Sequence, residues 1–374
     1  MSRTIWFSAG ELSGDMQAAS LLRALRSLDA GIQATGMGGP NLAGAGQRNL
    51  FRVEDLSVMG ITEILSVLPR ALRLLKRIRV ELEKVRPSAV VLVDAPEFNF
   101  RVARIASELN IPVYYFIPPK VWAWRTGRVE FLRNHVRKLF CILPFEPDFY
   151  RAHGMDVDYV GNPLVDMVNR PSLDRIAPEA GRIGVMPGSR SKEVRFLMPL
   201  FGEAAKRLLT LFPELTFHCL RAPNMDAGML RSLWPSEVPL TMEDPDDRYV
   251  QMRRCTAIMA ASGTATLETA LVGTPTVIAY RVAPLSYEIA RRLVQIKWIG
   301  LPNLILGREV FPECIQKEAN PEKIVTILKE WLGIPGALDS VRADLGEVLR
   351  RCGEGGSAMR AAEHLLAALD GKED

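Results

Sequence analysis

The chain has 374 residues, of which 48% are apolar and 24% are charged. This composition suits one large or two ordinary folded domains and excludes a disordered chain. A formal net charge of +4 does not by itself indicate nucleic-acid binding. The five cysteines and four histidines are scattered without metal-ligand spacing, which predicts free thiols in a reducing cytoplasm and no structural metal. No apolar run approaches the roughly 18 residues of a membrane span or the length of a signal peptide, so we expect a soluble or surface-bound protein.

A short apolar strand, a glycine-containing turn and an amphipathic helix recur along the chain. The strands predicted in this pattern are Thr4–Phe7, Ala89–Val93, Val113–Ile117, Leu139–Leu143, Ile183–Val185, Leu215–Phe217, Ala257–Ala260 and Thr276–Tyr280. Strands that alternate with helices predict an α/β fold whose parallel sheets are covered by helices on both faces.

Two such series meet around residues 161–182, where glycine and proline interrupt a polar stretch. We therefore predict an N-terminal domain over 1–168 and a C-terminal domain over 169–345. A C-terminal helical segment over 346–374 should follow, with an Ala/Leu-rich helix at its end.

Two polar clusters follow predicted strands of the first half. Asp94 ends the buried strand 89–93, where open α/β sheets place their chemistry, and it could deprotonate a hydroxyl group. The alternative is that Asp94 and Glu97 only begin a helix, and the spacing does not decide between them. Glu11, Ser13 and Asp15 form the second cluster, in which helix capping is the default role for Ser13 or Asp15.

Residues 57–86 combine an apolar stretch with a basic helix, in which seven cations stand against three carboxylates. Such a segment suits contact with anionic lipid, worth about 1 kcal/mol per cation near the surface. An ordinary core helix with a solvated charged face is the alternative. Nucleic acid is not predicted, because no aromatic residues are interleaved with the cations.

A turn with only small and hydroxyl-bearing side chains joins the strand 257–260 to the next helix. Gly263 leaves room for a phosphate, Ser262 and Thr264 supply hydroxyls, and the helix N-terminus favours an anion. Glu268, about one turn later, is placed to accept hydrogen bonds from a ribose. The alternative is that Thr264 and Glu268 merely cap the helix.

A second turn of the same kind contains Gly188, Ser189 and Arg190, after the strand 183–185. The arginine offers a planar fork suited to phosphate oxygens. Two such turns in one domain predict that a diphosphate is bound without a metal. The D-x-D pairs at 156–158 and 244–246 are interpreted as solvated surface, and no complete dinucleotide or P-loop motif occurs.

Taken together, the motifs make the chain similar to the lipid-A-disaccharide synthase family of bacterial glycosyltransferases of the GT-B type. The resemblance covers most of the chain, and its W-A-W and S-G-T-A-T-L-E strings are the most specific. It rests on Gly10–Asp15, Val58–Glu63, Asp94–Asn99, Val121–Arg125, Leu143–Glu146, Pro187–Glu193, Ala261–Glu268, Tyr280–Arg281, Leu301–Gly307 and Gln316.

The resemblance implies two Rossmann-like domains with parallel sheets facing a central cleft. It also implies inverting transfer of 2,3-diacylglucosamine from its UDP ester to 2,3-diacylglucosamine 1-phosphate, which gives a β(1→6) disaccharide 1-phosphate and UDP in lipid A and lipopolysaccharide biosynthesis. No cofactor or metal is expected. The implied location is the cytoplasmic face of the inner membrane, as a peripheral protein, and a homo-oligomer remains open.

The family's residues fall on specific positions of this sequence. Its candidate base matches Asp94 and its phosphate-binding arginine matches Arg190. A donor-side glutamate matches Glu268. Further donor-side positions, with contacts unassigned, are Asn303, Glu313 and Gln316. Pro312 is expected to start a helix that places Glu313 and Gln316 on one face.

Support for the acceptor or the base is expected from Glu11, Ser13, Asp15, Glu97 and Asn99. The sequence departs from the family at Glu97, where many members carry Asp, and at Lys120, where a neutral polar residue is common. The roles of both residues stay open.

Other functions remain possible at this point. One is another GT-B protein acting on UDP-N-acetylglucosamine, such as an epimerase or a peptidoglycan transferase. The other is a non-catalytic protein that binds UDP and forms no product.

Overall fold

The computed structural model describes residues 3–53, 64–124, 126–283, 287–288, 291–292, 294 and 296–372. The first part of the predicted lipid-facing segment, residues 57–63, lies outside them. The chain forms two compact units, one of residues 1–163 with 354–374 and the other of residues 164–353. Within the described ranges, no helix combines the length and the apolar character needed to cross a membrane.

The first unit contains a seven-stranded parallel sheet in the order β3-β2-β1-β4-β5-β6-β7. Its strands are β1 (Thr4–Ala9), β2 (Gln33–Gly38), β3 (Arg48–Arg52), β4 (Ala89–Val93), β5 (Val113–Phe116), β6 (Lys138–Cys141) and β7 (Val157–Tyr159). Its helices are α1 (Leu12–Leu28), α2 (Pro40–Gly44), α3 (Ile64–Val85), α4 (Pro96–Glu108), α5 (Val121–Trp124), α6 (Val129–His135) and α7 (Glu146–Ala152), with a 3-10 turn at Thr126–Arg128. Apolar cores lie on both faces of the sheet, so every residue of β4 is buried.

The second unit contains a six-stranded parallel sheet in the order β10-β9-β8-β11-β12-β13. Its strands are β8 (Arg182–Met186), β9 (Thr216–Cys219), β10 (Leu240–Met242), β11 (Ala257–Ala261), β12 (Thr276–Tyr280) and β13 (Glu313–Ile315). Its helices are α8 (Pro163–Val168, beginning at the boundary), α9 (Arg170–Leu173), α10 (Ser191–Leu211), α11 (Ala227–Ser232), α12 (Arg248–Arg254), α13 (Thr264–Val272), α14 (Leu301–Leu306), α15 (Pro321–Gly333) and α16 (Ala337–Cys352). Two 3-10 turns lie at Pro245–Asp247 and Gln316–Glu318.

The predicted α/β class with parallel sheets is confirmed, and all eight predicted strands are present. The other five strands, β2, β3, β7, β10 and β13, are not among these eight. They are short or rich in glycine and polar residues, as in the Q-A-T-G-M-G of β2, so their own sequences carry little strand signal. Pairing with neighbouring strands stabilises these segments as strands, although their own residues have low β-propensity.

The two units divide after Pro163 and after Gly353, rather than at the predicted 168/169 and 345/346. The predicted C-terminal segment is thereby split, because α16 lies in the second unit and α17 (Ser357–Asp370) in the first. Buried Ala361 and Leu365 join the apolar core beside α1. Arg360 holds the returning chain by donating to the carbonyl oxygens of Val160, Glu354 and Gly355 at 2.8–2.9 Å.

Candidate functional site

Asp94 stands directly after β4 with an unusual backbone. Its φ is +54° and that of Ala95 is +45°, both in the left-handed region that side chains disfavour. Such residues cost about 1–3 kcal/mol each, and they concentrate at functional sites. A helix does begin here, since α4 starts at Pro96 with Glu97 in its first turn, but its N-cap is Ala95 and the Asp94 side chain does not cap it. Within the described chain, its carboxylate accepts no hydrogen bond.

Asn99 and Tyr115 hold this backbone in place. The fully buried Asn99 donates from Nδ2 to the carbonyl oxygens of Ser8, Val93 and Asp94, the last at 2.7 Å. The Ser8 hydroxyl donates to Asn99 Oδ1 at 2.7 Å. The Tyr115 hydroxyl donates to the Asp94 carbonyl oxygen, also at 2.7 Å, and burial followed by the Asp94 charge raises its pKa, so it stays a donor. Asn99 thus supports the main chain of Asp94. Tyr115 does the same, although it was not among the predicted site residues.

The predicted cluster at 11–15 separates into different roles. Asp15 is fully buried, and its carboxylate accepts N–H groups of Gly39, Asn41 and Leu42 at 2.6–3.2 Å. It therefore satisfies the N-terminus of α2, a helix that is distant in sequence. Glu11 and Ser13 are exposed at the start of α1, where Glu11 is the N-cap without a side-chain capping bond.

Glu97 points to the surface. Both of its carboxylate oxygens accept hydrogen bonds from Arg128, at 2.8 and 3.0 Å, and the Arg128 guanidinium lies over the Phe100 ring. The longer glutamate side chain thus forms a bidentate pair with Arg128 at the surface.

A buried glutamate anchors Trp122 of the aromatic motif. Glu146 accepts the Trp122 indole N–H at 3.0 Å and the N–H groups of Ile142 and Leu143. Burial raises the pKa of Glu146, although these donors and Lys120 limit the rise. Part of the Lys120 side chain is exposed to solvent, but many protein atoms lie around its charged group. Loss of solvent around the ammonium group lowers the pKa of Lys120, and the negative charges of Glu146 and Asp94 partly offset this effect. Glu146 ends the Leu143–Glu146 motif, and no role was predicted for it.

The two predicted glycine turns lie side by side. They follow the paired strands β8 and β11, and a Cβ on Gly188 would lie 3.3 Å from the Cβ of Ala261. Gly188 has a φ of +107°. Arg190 is the N-cap of α10, and its side chain is 81% exposed while donating to Glu193 at 3.0 Å. Ser189 is exposed, and its carbonyl oxygen accepts the Asn224 amide.

The turn before α13 leaves its backbone open. A Cβ on Gly263 would meet no heavy atom within 4 Å. Gly263 and Thr264 are exposed, and Ser262 is half-buried. The N-cap of α13 is Gly263 without a side-chain capping bond, so the capping alternative for Thr264 and Glu268 is wrong. Glu268 is only 7% exposed and pairs with Arg248 and Tyr249 on the preceding helix.

The expected helix from Pro312 is wrong, because Glu313 to Ile315 form β13 beside β12. The Pro312 carbonyl oxygen accepts the Ile278 N–H, and the strand ends before Gln316, which has a φ of +55° and begins the 3-10 turn. Gln316 receives the Val282 N–H at Oε1, while its buried Nε2 makes no hydrogen bond in the described chain.

Asn303 and Glu313 bind each other instead of presenting free side chains. The Glu313 carboxylate accepts from Ile299 N, Gly300 N and Asn303 Nδ2 at the start of α14. Asn303 is fully buried, and all its polar atoms are engaged by Glu313, Val310 and Phe311. Asn303 therefore braces Glu313.

Protein partners engage both D-x-D pairs. Asp156 and Asp158 form ion pairs with Lys138, and Asp158 also meets His364. Asp244 caps the 3-10 turn at Pro245–Asp247. Across the residues that the structure describes, no group of three His, Cys, Asp or Glu side chains is arranged to hold a metal ion.

The family model for lipid-A-disaccharide synthetase matches residues 5–333. The chain belongs to the lipid-A-disaccharide synthase family. It is 39% identical to the lipid-A-disaccharide synthase of Myxococcus xanthus and 36% identical to that of Geobacter sulfurreducens. The alignments cover 96% of both chains in the first case and 98% in the second. Members of this family are enzymes, so the non-catalytic alternative is not favoured.

Solved structures agree with the fold. A UDP-GlcNAc 2-epimerase from Neisseria meningitidis superposes with a TM-score of 0.67 over 97% of this chain and 99% of that one, at 13% identity. MurG of Acinetobacter baumannii gives 0.63 over 98% and 99%, at 12% identity. The architecture is therefore GT-B. At such low identity these likenesses describe the fold alone, and the epimerase and peptidoglycan-transferase alternatives are not favoured.

Proposed function

We propose that the protein is an inverting glycosyltransferase. It transfers 2,3-diacylglucosamine from UDP to the 6-hydroxyl of 2,3-diacylglucosamine 1-phosphate, with release of UDP, in lipid A biosynthesis. Family membership over nearly the whole chain supports the reaction class. The proposed mechanism rests on one observation. The two glycine-containing turns that follow β8 and β11 lie side by side, and each leads into a helix N-terminus that favours an anion.

The donor diphosphate is proposed to bind at these turns. The anion would be bound by the N–H groups at the starts of α10 and α13 and by the exposed guanidinium of Arg190. Gly188 and Gly263 have no side chain that would block it. Charge that develops on the departing diphosphate is then stabilised where it forms. Glu268 is proposed to accept hydrogen bonds from the ribose.

Asp94 is proposed as the general base for the acceptor hydroxyl. Its carboxylate has no hydrogen-bond partner in the described chain, whereas its main chain is held rigidly by Asn99 and Tyr115. A fixed backbone with an unengaged carboxylate suits a group that takes a proton from substrate. Inversion requires one such base, because the hydroxyl attacks the anomeric carbon opposite the leaving diphosphate.

Peripheral attachment to the cytoplasmic face of the inner membrane is proposed through α3. The described part of this helix exposes Arg73, Lys76 and Arg77 together with Leu72 and Val80. Beside it lies an open cavity of about 290 Å³, lined by Leu50, Phe51, Lys76, Arg77, Val80 and Glu81. This mixture of apolar and cationic surface fits an anionic lipid layer.

Mass spectrometry of products tests the proposal. Purified protein receives both acylated precursors, with and without EDTA, and the proposal predicts the disaccharide 1-phosphate and UDP in both samples. No disaccharide without EDTA would contradict the transfer reaction, and loss of product only with EDTA would contradict metal independence. Supplying UDP-N-acetylglucosamine alone tests the epimerase alternative, for which we expect no turnover.

For the membrane contact, sedimentation with anionic liposomes should weaken when Arg73, Lys76 and Arg77 are replaced by glutamine. Vesicles of neutral lipid serve as the control. Unchanged sedimentation with anionic vesicles would remove this part of the proposal.

A further inference from the structure

The two oxygens of the Glu268 carboxylate have different surroundings. Oε1 accepts from Arg248 Nη2 at 2.5 Å and from the Tyr249 hydroxyl at 3.0 Å. Oε2 accepts no hydrogen bond from the residues that the structure describes. Glu268 is thus anchored through one oxygen, and the other is left to a ligand.

Arg248 and Tyr249 also brace each other. The guanidinium carbon of Arg248 lies 4.6 Å from the centre of the Tyr249 ring, and its Nη2 donates to the Tyr249 oxygen at 2.6 Å. Burial and then the charge of Glu268 raise the pKa of Tyr249 to about 12, so the hydroxyl keeps its proton and remains a donor. The three side chains therefore form a closed triangle that fixes the Glu268 rotamer.

Both donors come from the first turn of α12, which packs against α13. Arg248 places a positive charge directly beside the nearly buried carboxylate of Glu268. An ionised carboxylate accepts stronger hydrogen bonds than a neutral group, and a rotamer fixed in advance need not be ordered when ligand binds.

We propose that Arg248 and Tyr249 are positioning residues that orient Glu268 so that its Oε2 accepts from the ribose hydroxyls of the bound nucleotide. This inference rests on the proposed function, in which Glu268 binds the ribose. Neither residue needs to touch the nucleotide, because both act through Oε1.

The test compares UDP with 2′,3′-dideoxy-UDP by isothermal titration calorimetry. The ratio of their Kd values isolates the contribution of the ribose hydroxyls from that of the phosphates and the base. Hydrogen bonds to a charged group predict that the wild type prefers UDP by about tenfold or more. Glu268→Gln should remove most of this preference.

Two variants address the positioning residues. Tyr249→Phe keeps the aromatic ring and removes the hydroxyl, and Arg248→Met keeps an apolar stem and removes the charge. Each is expected to reduce the UDP preference by about threefold or more, with Kd for 2′,3′-dideoxy-UDP nearly unchanged. Arg254→Met, on the same helix but paired with Glu179, should keep the wild-type ratio.

The outcomes separate the two claims. A wild type without preference for UDP would overturn the ribose assignment of Glu268, and this inference with it. A wild-type preference that Glu268→Gln abolishes but Tyr249→Phe and Arg248→Met retain would overturn the inference alone. Thermal unfolding identifies any variant that is not folded, and the conservative Tyr249→Phe decides if Arg248→Met fails to fold.

Discussion

Gly14 packs directly against Asp94. A Cβ on Gly14, in the first turn of α1, would lie 3.3 Å from the Asp94 Cβ and 3.4 Å from the Val93 carbonyl oxygen. That separation is tighter than ordinary van der Waals contact. Since Asn99 and Tyr115 hold the Asp94 main chain through hydrogen bonds, Asp94 has little freedom to shift.

Gly14→Ala should therefore reduce kcat while leaving the Kd for UDP unchanged. A shift of a few tenths of an ångström at Asp94 predicts a loss of about three- to tenfold, since about 1 Å of misplacement costs about a hundredfold. The free energy of unfolding should not fall together with kcat, because alanine is more favourable than glycine in a helix by up to about 1 kcal/mol. Gly44→Ala in α2, where no heavy atom lies within 4 Å, is the matched control. Wild-type kcat in Gly14→Ala would refute the claim that this contact positions Asp94.

Asp94→Asn should abolish most turnover and leave UDP binding largely intact. The amide keeps the shape of the side chain but cannot accept the proton of the attacking hydroxyl, for which general-base catalysis contributes about 10²–10⁴-fold. Steady-state kinetics and UDP titration calorimetry on the same preparation measure the two effects. Turnover at the wild-type rate would assign the base elsewhere.

Gly188→Ala should weaken UDP binding and reduce activity. A Cβ there would lie 2.9 Å from Glu193 Oε2 and 3.3 Å from the Ala261 Cβ, so it would displace the Glu193 carboxylate and crowd the neighbouring turn. Gly307 also has a positive φ, of +69°, and open surroundings, so Gly307→Ala carries a backbone penalty of about 1–2 kcal/mol without this contact. Equal Kd values for UDP in the two variants would contradict a role for the Gly188 turn in binding.

The alternation of strands and helices was enough to predict the parallel sheets and to place Asp94 and both glycine turns at strand ends. It did not predict which partners the side chains take. Asp15 binds the N-terminus of α2, and Glu268 binds residues of α12, so the partners lie 19 to 27 positions away in sequence. Such contacts depend on how helices pack, and hydrophobic periodicity does not encode that packing.

Local signals were also overridden by tertiary structure at two positions. The proline before Glu313 is typical of a helix start, yet pairing with β12 makes this segment a strand. Asn303 has the chemistry of a ligand-binding amide, yet Glu313 and the backbone of Val310 and Phe311 engage all of its polar atoms. Composition alone does not distinguish a satisfied buried amide from an exposed one.

His218 should make stability depend on pH. Burial lowers its pKa, the charge of Arg182 acts in the same direction, and the 2.7 Å contact with Glu243 opposes them. The folded state thus binds the proton less tightly than the unfolded chain, whose histidine titrates near about 6.5. As pH falls through that value the unfolded chain gains the proton first, so the free energy of unfolding decreases until pH lies below the folded pKa.

Thermal unfolding between pH 7.5 and 5.5 measures this dependence. We expect Tm to fall less in His218→Asn than in the wild type, while His153→Asn, at an exposed histidine, behaves as the wild type does. Identical slopes in the wild type and His218→Asn would assign the pH dependence to other groups.

A crystal structure with UDP tests the central claim most directly. The account predicts that the diphosphate lies against the main-chain N–H groups of residues 188–190 and 262–264, with Arg190 on a phosphate oxygen and the ribose on Glu268. Ordered UDP elsewhere, with both turns unoccupied, would contradict it.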